Sequence, residues 1–195
     1  MPQPASFPDP AVARYRVIAD GFLDRVDGIR ADQWGDPTPC ERWTVRDVVA
    51  HTVNVHGRIL ARLNGGELPA IEPSPPSPGE DLLADLRPLI AALQEAVADP
   101  ERAARIVDSI IGPLTFGELV GTLLCEDTLL HTWDIARATG QDERLDPAAV
   151  RDVLHSLLPR DATLRHPEEF GAKLDPATGA DEQAQLIAFS GRAGR

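Results

Sequence analysis

The chain has 195 residues, enough for one domain with its own core. Hydrophobic residues make up 43% but aromatics only 5%, so that core must be built from Leu, Val, Ile and Ala, which suits helix packing better than a β-sandwich. A formal net charge of −12 and an isoelectric point near 4.7 argue against nucleic acid or an anionic membrane as the main partner.

The N-terminal stretch from Met1 to Pro8 has no basic n-region and no apolar h-region, and no apolar run approaches the roughly 20 residues that span a bilayer. Cys40 and Cys125 are the only cysteines, too few for a secreted disulfide framework. The expectation is a cytoplasmic protein with no membrane partner.

From about Asp9 to Ile29, Val12, Tyr15, Ile18, Ala19, Phe22, Val26 and Ile29 recur at helical steps. A turn-rich connector, Gly35 to Cys40, follows. Thr44 with Asp47 three residues on is a capping-box variant that starts a second helix, running to about Leu63 and stopped by Asn64-Gly65-Gly66. Pro69 to Gly79 is Pro-rich, and reads as a stiff, extended crossover able to travel the height of a bundle.

A third helix spans about Glu80 to Ala98, with Leu82, Leu83, Leu86, Leu89, Ile90, Leu93 and Val97 on its apolar side. After a Pro-containing loop and an Ile-rich stretch, Thr115 with Glu118 caps a fourth helix that runs to Thr139 and stops at Gly140. Pro147 to Leu157 reads as a shorter helix, Phe170 to Pro176 as extended, and Ala180 to Ser190 as a closing helix. The expected architecture is all-α: a four-helix bundle over residues 1–140 with a long Pro-rich crossover, and a short C-terminal extension, 141–195, packed on the same domain.

Polar residues interrupt two of the apolar faces. On the fourth helix Asp127, His131 and Asp134 fall inside the arc of Leu119, Val120, Leu123, Leu124, Leu130, Ile135 and Ala138. Asp127 and His131 are four apart, one above the other on a helix face. Burying them together is costly unless they are paired or bound to a metal. On the second helix His56 sits near the centre of the apolar arc and His51 at its edge; periodicity favours His56 as the buried histidine and leaves His51 open. Imidazole and carboxylate donors from facing helices suit zinc, nickel or iron, and three protein ligands leave an open position for chemistry.

The run Trp34 to His51, which contains Trp43-Thr44-Val45-Arg46-Asp47-Val48-Val49-Ala50-His51, resembles the N-terminal signature of mycothiol-dependent maleylpyruvate isomerase-like proteins, metal-binding bundles of the DinB-like superfamily. Asp127 through His131-Thr132-Trp133-Asp134 to Gly140 looks like the second signature, and Phe170-Gly171 with Leu186 to Arg192 is similar to the ending of the shorter actinobacterial branch. The resemblance implies His51, Asp127 and His131 as the ligands of a divalent metal, zinc first and nickel or iron next, and so turns the choice from His56 to His51. His56 then becomes a core residue or a neighbour of the ligands.

In the isomerase the acid is a glutamate, one methylene longer than Asp127. The isomerase also carries a further C-terminal domain that contributes to its active site and for which this chain is too short, which argues against maleylpyruvate itself as the substrate. The implied activity is a mycothiol-dependent transferase or isomerase reaction. A small-molecule thiol and an electrophilic substrate are its partners, with a homodimer as the assembly to test. The alternative is a metal-bound module that binds a ligand or serves in stress without catalysis.

Around the ligands, Asp134 either orients a ligand histidine or pairs with an arginine such as Arg137 or Arg46. Trp43 and Trp133 either line a pocket near the metal or wedge helices together. Cys40 and Cys125 read as thiolate or redox groups, or as buried small hydrophobes. His155 and His166 lie outside the bundle helices, as surface residues.

Overall fold

The computed structural model describes residues 10–41, 43–65, 81–165 and 170–192. Helix α1 (Pro10–Asp27) buries Tyr15, Ile18, Ala19, Phe22 and Val26, the face set by three- and four-residue spacing. Helix α2 (Val45–Leu63) opens with Thr44 as N-cap. The Thr44 hydroxyl accepts from the Asp47 backbone N–H, and the Asp47 carboxylate accepts from the Thr44 backbone N–H at 2.8 Å. Two of the donors that a helix start leaves without partners are thereby satisfied. The helix ends at Asn64, and Gly65 takes a positive φ of 73°.

Helix α3 (Leu82–Ala98) is capped by the Asp81 side chain and buries Leu82, Leu86, Ile90, Leu93 and Val97. The expected Pro-rich crossover, Pro69 to Gly79, lies outside the described residues. Between α3 and the next long helix the sequence suggests a Pro-containing loop and an Ile-rich stretch. The chain instead forms the one-turn helix α4 (Pro100–Ala103) and a small antiparallel hairpin, β1 (Ile106–Val107) with β2 (Leu114–Thr115), pairing Ile106 with Thr115 and Val107 with Leu114. Strands this short carry no alternation to read.

The fourth long helix is built in three parts: α5 (Phe116–Leu119), a π-helical turn (Val120–Leu124) and α6 (Cys125–Thr139). Thr115 and Glu118 form the expected capping box, and Gly140 closes the helix at φ 70°. The π-turn is a departure from the straight helix of the sequence reading. Such turns insert one extra residue per bulge and are frequent at functional sites.

Helix α1 packs against α3 and α6, and α2 against the same two, so α1 and α2 stand across a diagonal of an all-α bundle. Helix α7 (Pro147–Leu157), capped by Asp146, leans on α1 and α6; a 3-10 turn (Leu158–Arg160) leads to the short α8 (Asp161–Leu164). Helix α9 (Glu182–Phe189) packs on α7. Phe170 to Pro176 forms no strand, although Leu174 donates its N–H to the Ala188 carbonyl of α9. No helix among the described residues is long and apolar enough to cross a membrane.

Candidate metal centre

Three chain segments meet on α6 between Asp127 and Asp134. The connector before α2 is a tight turn organised by Thr38, whose hydroxyl donates to the Trp43 carbonyl at 2.9 Å and accepts from the Cys40 N–H at 3.2 Å. That turn delivers Cys40 and Trp43 to the site. Helix α2 delivers His51, and α6, directly after the π-turn, delivers Asp127, His131 and Asp134. The C-terminal segment delivers Arg192. There α9 ends with Gly191 at φ 80°, the N–H groups of Gly191 and Arg192 bonding back to the carbonyls of Ala188 and Ile187. A Cβ at Gly191 would come within 2.9 Å of the Ala172 carbonyl oxygen, so this turn needs glycine on two counts.

The structure brings His51, Asp127 and His131 together, with one ligand atom of each within 4.8 Å of the others. His51 Nε2 is 3.0 Å and His131 Nε2 3.4 Å from the same oxygen, Asp127 Oδ1. The His51 and Asp127 side chains are 18% and 24% exposed, so the cluster opens to solvent on one side. Trp43 walls it: its ring centroid is 4.8 Å from that of His51, and it stacks on His131 at 5.8 Å.

Behind His131 lies a second polar layer. His131 Nδ1 is 2.9 Å from Asp134 Oδ2, and Asp134 is fully buried. The arginine that meets Asp134 is Arg192, donating from Nε to Oδ1 at 2.7 Å and from Nη2 to Oδ2 at 2.8 Å. Arg137, one of the two arginines suggested by sequence, turns to Glu143 at 2.9 Å. The Cys40 thiol joins this layer. It donates to Asp134 Oδ2 at 3.2 Å and accepts from Arg192 Nη2 at 3.1 Å.

Cys40, His131 and Asp134 form a second cluster with metal-ligand chemistry. The Arg192 guanidinium already supplies a cation to two of its three members. Among the described residues no arginine or lysine pairs with the first cluster, and there His131 Nε2 faces Asp127 Oδ1 while Nδ1 is held by Asp134.

The charges follow from these contacts. Burial pushes the Asp127 carboxyl up, but the His51 and His131 imidazoles outweigh it and hold the group well below the usual carboxylate range. Burial works against charge on His131, and Asp127 with its hydrogen-bonded neighbours overcomes it and raises the imidazole well above its ordinary value. Asp134 is likewise disfavoured by burial, yet Arg192 and His131 keep it ionised far below the ordinary range. His51 Nε2, His131 Nε2 and Asp127 Oδ1, two nitrogens and a carboxylate oxygen, are a donor set that zinc, nickel and iron accept.

The other candidates separate clearly. His56 is fully buried but stands outside the ligand cluster, its Nδ1–H donating to the Thr52 carbonyl at 2.8 Å. Trp133 is 2% exposed, lies under the Arg137 guanidinium, and lines a separate half-open cavity of about 470 Å³ with Leu174, Ile187 and Arg192. Cys125 is a buried small hydrophobe, its thiol pushed up to about 12 by burial. His155 is exposed and His166 lies outside the described residues. The sequence reading missed Arg192 as a site residue. The available signal was the demand itself: a carboxylate as buried as Asp134 needs a cation.

Residues 15–136 match the family described as mycothiol maleylpyruvate isomerase N-terminal domain. The chain belongs to this family. Among family relatives, the uncharacterized protein Rv0738 of Mycobacterium tuberculosis (strain ATCC 25618 / H37Rv) is 33% identical over 139 residues, 71% of this chain and 72% of the relative. The uncharacterized protein MT0763 of strain CDC 1551 / Oshkosh matches equally. The crystal structure of the mycothiol-dependent maleylpyruvate isomerase superposes with a TM-score of 0.52 at 14% identity, covering 77% of this chain and 68% of that one. A histidine-to-alanine mutant of the same enzyme gives 0.50 at the same identity and coverage. At that identity the likeness speaks to the fold, which is DinB-like.

Proposed function

We propose that this member of the isomerase N-terminal domain family binds a divalent metal through His51, Asp127 and His131, and uses it with a small thiol to act on a small electrophile, as a transferase or isomerase. The carrying observation is the convergence of His51 Nε2 and His131 Nε2 on Asp127 Oδ1 beside an open face. Zinc is the first choice of metal, then nickel or iron. Mycothiol is the thiol suggested by the family, and the chain would work in the cytoplasm, as a homodimer if it assembles. Residues 1–140 would form the metal-binding bundle and 141–195 an extension packed on the same domain.

A bound divalent ion would supply Lewis acidity that lowers the pKa of a thiol at an open position. The chain's own residues prepare that position. Asp134 takes the Nδ1–H of His131, which fixes the tautomer and leaves Nε2 as the donor atom. Arg192 neutralises Asp134 from behind, so one buried carboxylate serves His131 without an uncompensated charge. Trp43 holds both imidazole planes and excludes water from one side.

Metal analysis of the purified protein tests the site: about one equivalent is expected in the wild type and strong loss in His51→Ala, Asp127→Ala and His131→Ala. Unchanged metal content in all three would overturn the assignment. Incubation with mycothiol and a panel of small electrophiles should give turnover that a chelator abolishes. Thiol binding without turnover would instead favour a non-catalytic ligand-binding module.

A further inference from the structure

The buried polar side-chain atoms with no hydrogen-bond partner among the described residues include Tyr15 Oη on α1, His56 Nε2 on α2 and Asp127 Oδ2 on α6. Tyr15 and His56 are both fully buried, and their ring centroids are 6.1 Å apart. His56 lies within the electrostatic reach of Asp127 and of His51. Leaving three such atoms unsatisfied would be expensive.

Their chemistry is complementary rather than random. Burial keeps the Tyr15 hydroxyl protonated, with Cys125 adding to the effect, so Tyr15 is a donor. Burial pulls His56 down to about 4, and its Nδ1–H is committed to the Thr52 carbonyl, so Nε2 carries a lone pair and accepts. Asp127 Oδ2 is a carboxylate oxygen and accepts. One donor and two acceptors match a single water molecule, which has two hydrogens to give and accepts the third bond. Buried waters make about three hydrogen bonds to groups of this kind.

We infer that one buried water joins Tyr15 Oη, His56 Nε2 and Asp127 Oδ2, and that Tyr15 and His56 are positioning residues for the metal-binding carboxylate of Asp127. The inference rests on the reading of Asp127 as a ligand. The water holds Oδ2 inward, so Oδ1 is presented to His51, His131 and the metal. It gives His56, the histidine that periodicity placed in the core, a task one layer behind the ligands.

The test uses the full chain, with zinc affinity measured by competition against a chromophoric chelator and the ring nitrogens of His56 followed by ¹⁵N NMR with and without zinc. Tyr15→Phe keeps the ring and removes the donor. It should lower zinc affinity about tenfold and shift the His56 Nε2 resonance even in the metal-free protein. His56→Leu should show a similar loss of affinity, and His56→Gln, which keeps an acceptor, should recover most of it. Unchanged affinity together with an unmoved Nε2 resonance in Tyr15→Phe would overturn the inference. So would a zinc-induced shift showing His56 Nε2 bound directly to the metal. A wild type that binds no zinc would defeat the reading of the ligands, whereas the metal-free Nε2 shift would still decide the water.

Discussion

Arg192→Met removes the guanidinium that bonds Asp134 at 2.7 and 2.8 Å and the Cys40 sulfur at 3.1 Å, while keeping a long apolar stem. Breaking a buried ion pair from one side costs about 3–5 kcal/mol, because the remaining charge stays buried. Here Asp134 keeps a second partner, His131, and the cavity beside Arg192 gives water a route to it, so the lower end, about 3 kcal/mol, is expected. With a urea m-value of roughly 2 kcal/mol/M the unfolding midpoint should fall by about 1.5 M. The metal-free protein is the one to unfold, so that lost metal does not add to the number. Asp134→Asn combined with Arg192→Met should cost less than the sum of the single changes, since the stranded charge is gone. Zinc affinity should fall about 10- to 100-fold in Arg192→Met, as His131 loses its fixed orientation. A midpoint within about 0.3 M of wild type, a shift of only about 0.6 kcal/mol at that m-value, would refute the claim that Arg192 neutralises Asp134.

Four further outcomes follow from the structure. In the metal-free protein the raised pKa of His131 contributes stability that is complete below about 6.5 and is lost as pH rises through the higher folded value. The depressed Asp127 and Asp134 contribute above about 3.9 and are lost as pH falls through their lower folded values, so thermal stability with chelator should decline on both sides. Zinc must displace the His131 proton, so zinc affinity should rise between pH 5 and 8, checked by competition titration. Gly191→Ala should destabilise by about 2 kcal/mol or more through the positive φ and the 2.9 Å approach to Ala172, seen as a lowered melting temperature. Thr44→Ala should cost about 1 kcal/mol by urea unfolding, through loss of the cap.

Local signals in the sequence were strong where one segment carries the whole interaction. Thr44 with Asp47 and Thr115 with Glu118 mark helix starts because both partners lie within one turn. Gly140 marks a stop because the left-handed conformation is a property of that residue alone. The hairpin after α3 was hidden since two-residue strands have no periodicity, and the π-turn since an extra residue leaves no compositional trace. Within the site, the Asp127 and His131 spacing was visible on one helix, but His51 was separated from His56 by resemblance and not by periodicity. In the sequence Cys40 reads as a thiolate or redox group or as a buried small hydrophobe, and its contacts with Asp134 and Arg192 depend on a turn and a C-terminal segment 152 residues apart.

What makes α6 hard to read is that it is buried on nearly every side. From Cys125 to Ala136 every residue but Asp127 is buried, so an apolar stripe does not define its faces. The polar residues on it are therefore explained one at a time, by the element each one faces. Asp127 and His131 look to His51 of α2. Asp134 looks to Arg192 beyond α9. Glu126, 5% exposed, looks the other way to Arg160 and to Ser156 of α7. Two of these acids are matched by an arginine and need nothing more. Among the described residues Asp127 is matched only by two imidazoles that are themselves neutral when they act as ligands, and it is the one that opens to solvent. A carboxylate with that company lacks a permanent positive charge, and a divalent metal is the partner that would provide one.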